Sequence, residues 1–299
     1  MILVAGSTGL VGMEVCRLLV QQGTPVRALV RYSSAPEKVQ ELRSLGVELC
    51  YGNLRDYTSL RPACRDVAAV ISTASSTFSR QEGDTIESVD HHGQLTLVDA
   101  AQLEQVPHFV FVSFPNDPAI QYPLTQAKRA VAGMLKETRM PYTIVESCWF
   151  MEVWLSPMVG FDYANATAQI YGDGTKPLSW ISAFDVAKFL VAALDEPSPR
   201  HETIQIGGPQ ALTPREVVAI FEEVGGRPFQ VNYVAVETLE QQFADATDPL
   251  QKSFTGLMLQ YAHGVTMDMS EILTRMPVAM TTVRDYAQRV LKREPLTTA

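Results

Sequence analysis

Short apolar runs recur along the first half of the chain, and each is followed by a longer stretch whose apolar positions fall three and four residues apart. Runs of the first kind suit strands buried on both faces, and the second pattern suits amphipathic helices. Residues 2–5 open the series, with Val11, Val15, Leu18 and Leu19 following at helical spacing. Further strands are predicted at 25–31, 47–50, 67–73, 108–113 and 142–146, and helices at 37–45, up to about Arg65, at 85–104 and at 123–138. Strand and helix alternate at spacings that allow right-handed crossovers, which predicts an α/β fold built on a doubly wound parallel sheet. The Ser- and Thr-rich loop from Ser72 to Ser79, continuing to Asp84, is a candidate mobile segment.

After Cys148 the rhythm breaks. Residues 149–176 mix aromatics, Met, Pro and Gly, as an irregular covering segment would, and 183–194 read as an amphipathic helix stopped at the turn 197–199. A strand is predicted at 203–206, and Thr213 with Glu216 forms a capping box, with Pro214 at the first helical position. Val231 to Val236 is one more candidate strand, and the remainder reads as helical. Residues 1–155, rejoined by 183–209, are therefore expected to form the doubly wound domain, with 156–182 and 210–299 forming a smaller C-terminal substrate lobe.

The turn between the first strand and helix reads Gly6-Ser7-Thr8-Gly9-Leu10-Val11-Gly12. A glycine-rich elbow leaves backbone N–H groups at the positive end of a helix dipole, where phosphate oxygens accept them. Gly6 permits the sharp turn, Gly9 allows close approach to a diphosphate, and Gly12 lets helix and strand pack. A plain structural turn is the alternative. The second strand ends in Arg31, and no carboxylate follows until Glu37. A cation there suits a 2′-phosphate, whereas an acid would accept from a free ribose hydroxyl, so the expected cofactor is NADP(H). A solvated end-of-strand charge is the other reading of Arg31.

Ligands in this architecture bind beyond the carboxyl ends of the strands. That rule nominates Asn53 and Leu54 near an adenine, Thr73, Ala74 and Ser75 near ribose and diphosphate, and Ser113 and Phe114 near a nicotinamide. Lys128 lies in the first turns of the helix opening at Pro123, where it could bond ribose hydroxyls and lower the pKa of a nearby proton donor. A surface lysine beside Arg129 is the alternative.

The 299 residues are 46% hydrophobic and 19% charged, with net charge −9. The acidic balance argues against a general role on nucleic acid or an anionic membrane. Cys16, Cys50, Cys64 and Cys148 lack CxxC spacing and read as reduced thiols, which suggests no zinc site. The chain enters its first strand without a leader-like segment, and no apolar run nears the ~18 residues of a membrane helix. A cytoplasmic location is expected, with a small-molecule substrate and either a monomer or a dimer. His91 and His92, adjacent on a predicted helix, should point apart, so no metal is expected.

Taken in order, GSTGLVG at 6–12, Arg31 closing the second strand, GNLRD at 52–56, FVFVSF at 109–114, QAKRAVAGML at 126–135, PYTIVESCWFME at 141–152, ISAFDVAKFLVAAL at 181–194 and IGGPQALTPREVV at 206–218 resemble the NmrA-like family of atypical short-chain dehydrogenases/reductases. The resemblance runs to about Pro228 and implies a Rossmann fold binding NADPH, or sometimes NAD, with a smaller C-terminal lobe. It implies either an oxidoreductase or a redox-sensing regulator that binds dinucleotide without turnover. The Tyr-x-x-x-Lys dyad of short-chain dehydrogenases is absent, since Leu124 stands four residues before Lys128. Tyr122, six residues before it, would sit roughly 240° away on a continuous helix and could assist only from the preceding loop. Thr125 is a weaker alternative donor. Glu146-Ser147 stands where many relatives carry Arg-Pro. Lys128 with Ser113 as helper resembles the lysine-based scheme of the phenylcoumaran-type members.

These readings predict an NADPH-dependent oxidoreductase passing hydride to a small apolar acceptor such as a quinone, enone or aldehyde. Lys128, Ser113 and Tyr122 are its candidate catalytic residues, and Trp149, Phe150, Met151, Trp154 and Met158 would line the acceptor. The alternative is a non-catalytic NADP(H)-binding sensor, or a regulatory or assembly protein. Asp185 is expected to be structural, at a helix start.

Overall fold

In the computed structural model, which describes residues 1–78, 81–115, 117–195 and 200–292, the predicted strands form at β1 (Ile2–Ala5), β2 (Val26–Val30), β3 (Glu48–Tyr51), β4 (Ala69–Ser72), β5 (Phe109–Ser113) and β6 (Tyr142–Ser147). With the strand Glu202–Ile206 they make one seven-stranded sheet, ordered 202–206, β6, β5, β4, β1, β2, β3. β1 pairs in parallel with both β2 and β4, so the strand order reverses at β1, as doubly wound sheets require. β1 and β4 are buried along their whole length, which explains why neither alternates polar with apolar residues.

Helices α1 (Leu10–Gln21), α2 (Pro36–Ser44), α3 (Tyr57–Cys64), α4 (Gln94–Leu103) and α5 (Pro123–Glu137) connect these strands. Leu60, Leu97, Val98, Phe109, Phe111, Val131 and Ile144 meet in one apolar cluster between helices and sheet. The expected single helix over 85–104 is two elements: a π-helix at Ile86–Gly93 precedes α4. Thr85 caps the π-helix reciprocally with Ser88. A side chain at Gly93 would meet the Leu54 Cβ at 2.9 Å, so the junction needs a residue without one. Ser79 and Arg80 of the candidate mobile loop, and the turn residues 197–199, lie outside the described residues.

The chain forms two compact units, one of Met1–Phe114, Pro123–Glu146 and Ala187–Ile204, the other of Pro115–Tyr122, Ser147–Val186 and Gln205–Ala299. The second unit is not irregular over 149–176. Trp149–Phe150 pairs with Leu178–Ile181, which pairs with Ala211–Leu212, while Phe161–Asp162 and Thr167–Tyr171 join Gln230–Val234 in another small sheet. The helix Pro214–Gly225 starts at the predicted box, where Thr213 and Glu216 cap each other. The carboxylate of Asp185 accepts from the Thr281 amide at 2.6 Å. Rings of Trp149, Trp154, Tyr171, Trp180 and Tyr261 cluster edge-to-face and stacked, with Trp149 and Trp154 centroids 4.7 Å apart. Met158, expected in this wall, is instead 66% exposed.

Candidate functional site

The elbow after β1 has the geometry its glycines suggest. Gly6 is left-handed at φ +83°, and a Cβ there would lie 2.7 Å from the Ala74 amide nitrogen. A Cβ at Gly12 would lie 2.2 Å from the Gly6 carbonyl oxygen, so α1 can approach the elbow only as glycine. Gly9 donates to the Gly6 carbonyl at 2.9 Å and is the N-cap of α1, with no side chain capping the helix. Such a helix start offers amide donors to an anion. Ser7 turns away, donating its hydroxyl to the Leu29 carbonyl at 2.9 Å, whereas Leu10 is 43% exposed on the first turn. Thr8 is half-buried and Val11 buried.

Arg31 follows β2, and its guanidinium is bonded to the carboxylate of Asp84, whose side chain is buried. The other oxygen of Asp84 lies 3.6 Å from Nε of Arg55, in the loop after β3, and has no hydrogen-bond partner among the described residues. Arg31 and Arg55 remain 23% and 34% exposed over a carboxylate that is only 1% exposed. Two guanidiniums over one buried anion leave a local positive excess, which suits a phosphate. Asn53 accepts from the Arg55 amide at 3.0 Å and Leu54 is buried beside Gly93, so these two shape the loop that carries Arg55.

The loop after β4 is held from behind. Gln94 accepts from the Ser72 hydroxyl at 2.7 Å and donates to the Ala74 carbonyl at 2.7 Å. Asp90, fully buried in the π-helix, accepts from both the amide and the hydroxyl of Ser76, at 2.9 and 2.6 Å. Thr73 donates to the Ala5 carbonyl at 3.2 Å, and Ser75 shares a hydrogen bond with Thr77. Thr73, Ala74 and Ser75 are thus fixed across the end of β1, against the glycine elbow.

Lys128 is buried in the second turn of α5, so the surface alternative does not hold for it. Its ammonium donates to the Val112 carbonyl at 3.0 Å and lies 4.8 Å from the centroid of the Phe111 ring. Burial pushes its pKa below the ordinary lysine value, and the negative charge of Asp90 partly opposes that shift. The second oxygen of Asp90 has no hydrogen-bond partner among the described residues. Ser113 is the buried last residue of β5, with Phe114 half-buried after it. Lys128, Ser113 and Phe114 therefore lie in the same unit as the elbow.

Tyr122 belongs to the second unit. It is fully buried and donates its hydroxyl to Oε1 of Gln260 at 2.7 Å, and burial raises its pKa well above the usual phenol value. Its ring packs where a Cβ on Gly256 would lie 2.3 Å away.

Sequence reasoning missed Arg55, Asp84, Asp90 and Gln94, which reach the site through contacts 14 to 53 residues distant. Asp90 had a signal: with Ile86, Gly93 and Leu97 it falls on the inward helical stripe, where a carboxylate needs a reason.

A model of the NmrA-like family matches residues 1–287. An NAD(P)H azoreductase of Xenophilus azovorans is 34% identical, over 81% of this chain and 78% of that protein. The photosystem II assembly factor Ycf39 of Synechocystis is 28% identical, over 98% of this chain and 91% of that protein. In fold, the chain matches an NADPH-dependent quinone oxidoreductase of Escherichia coli complexed with NADPH, with TM-score 0.77 and 18% identity over 97% of this chain and 99% of that one. By the match over nearly its whole length, the chain belongs to the NmrA-like family.

Proposed function

We propose that this protein is an NADPH-dependent reductase that passes hydride to a small apolar acceptor such as a quinone, enone or aldehyde. The observation that carries the reading is the pairing of an elbow that only glycines can form with two guanidiniums gathered over buried Asp84. The elbow amides would hold the diphosphate, and Arg31, with Arg55 beside it, would hold the 2′-phosphate. Bound there, the nucleotide supplies a hydride. Lys128 supplies the proton that balances it on the acceptor, and its buried setting brings the ammonium closer to the pKa at which it can release one. Asp90 keeps the lysine charged until then and fixes the loop at Ser76. Ser113 orients the acceptor.

The names of the azoreductase and of the quinone oxidoreductase support reductive chemistry with a nicotinamide donor. The unpaired thiols of Cys16, Cys50 and Cys64 suit a reducing, cytoplasmic setting. NADPH consumption measured against a panel of quinones, enones and aldehydes tests the proposal. Turnover is expected with at least one acceptor and should fall by about 10²-fold or more in Lys128→Ala, the range assigned to a positioned acid. Tight NADPH binding with no turnover of any acceptor would instead favour the second reading, an assembly or sensing protein. The likeness to Ycf39 over almost the whole chain supports that reading.

A further inference from the structure

The π-helix Ile86–Gly93 overturns the expectation that His91 and His92 point apart. Bonding i to i+5 widens each turn by about one residue, so a side chain five positions on returns near the line of the first. Glu87 accordingly lies between the two imidazoles. Its Oε1 is 3.0 Å from Nδ1 of His91 and 3.1 Å from Nε2 of His92, and the rings stack with centroids 4.8 Å apart. One ligand atom from each of the three residues falls within 4.8 Å of the others.

We propose that Glu87, His91 and His92 form a binding site for a divalent transition metal, with Zn²⁺ the best-matched ion. Ligand atoms on Zn²⁺ sit at about 2.0–2.2 Å from the metal, so tetrahedral neighbours lie only about 3.3–3.5 Å from one another. The two carboxylate–imidazole separations are already close to that span, and the imidazoles need only a small rotation towards each other. Two nitrogens and one oxygen suit a borderline ion, whereas Mg²⁺ and Ca²⁺ demand more oxygens than this cluster offers. Glu87 and His92 are 65% and 66% exposed, so water can complete the coordination. The inward face of the same helix carries Asp90, which holds Ser76 of the candidate cofactor loop. An ion on the outer face would thus brace the helix that positions that loop.

Isothermal titration of the full-length, chelator-treated protein with Zn²⁺, with Mg²⁺ in parallel, tests the site without any activity readout. The wild type is expected to bind one equivalent of Zn²⁺ and no Mg²⁺. His91→Gln and His92→Gln should each weaken that binding about tenfold or more while leaving the circular dichroism spectrum and thermal midpoint without ion unchanged. Absence of Zn²⁺ binding, or binding that both variants retain in full, would overturn the assignment.

Discussion

Tyr122 shows how one residue's neighbours decide its role. A phenol near a catalytic lysine invites the reading of a proton donor, yet this hydroxyl is committed to Gln260 and buried away from water. Tyr122→Phe should therefore cost stability, about 1–3 kcal/mol for a buried acceptor left unpaired, while kcat stays within about twofold. Urea unfolding and steady-state kinetics on the same preparation check this, and a large fall in kcat at unchanged stability would restore the donor reading. His108 offers a second test, of burial itself. It bonds Thr143 at 2.9 Å, and burial, reinforced by repulsion from Arg200 and His201, lowers its pKa to about 3. The unfolded chain binds this proton near pH 6.5 and the folded chain does not, so His108 contributes full stability above that pH and loses it as pH falls towards 3. Between pH 7.5 and pH 5 the wild type should lose about 2 kcal/mol more than His108→Gln in urea titrations. Parallel losses would show that the histidine is protonated in the folded state.

Among the elements, the glycine elbow and its helix were legible because their signal is local: three glycines at fixed spacing between a strand and a helix. The capping box at Thr213 and the short parallel strands were legible for the same reason. The π-helix was not, since its apolar positions also satisfy the ordinary helical spacing and its widened turn is fixed by packing at Gly93. Arg55 and Asp84 were hidden too, because only the fold brings the segment at 81–84 against the ends of β2 and β3. The elbow's geometry can be probed by paired substitutions. Gly12→Ala must displace the Gly6 carbonyl backbone, so cofactor affinity should fall about tenfold or more, with about 1–3 kcal/mol lost to overpacking. Gly133→Ala, inside α5 with open space around the added methyl, should instead be neutral or stabilise by about 0.5–1 kcal/mol, leaving affinity unchanged. Fluorescence titration with NADPH alongside thermal melts separates the two. Equal affinity in Gly12→Ala and wild type would mean that the elbow holds no phosphate.

Over the whole molecule, the alternation of strands and helices was enough to give the seven-stranded sheet, since a run of crossovers leaves few topologies open. The second unit was less readable. Its strands are only two to five residues long and, apart from Phe161–Asp162 with Thr167–Tyr171, pair with partners distant in sequence, so little local pattern marks them beyond the apolar run that predicted the strand now seen at Gln230–Val234. Among the described residues no helix is long and apolar enough to cross a membrane, and the net charge of the chain is −9. Under the proposed function, the positive charge that matters is the local excess at Arg31 and Arg55. The most direct test of the account is an equilibrium titration of the wild type and Arg31→Ala with NADPH and with NADH. The wild type is expected to bind NADPH at least about tenfold more tightly than NADH, a difference of about 1.4 kcal/mol, and Arg31→Ala to bring the two towards parity. Equal affinity for both nucleotides in the wild type, or no binding of either, would contradict it.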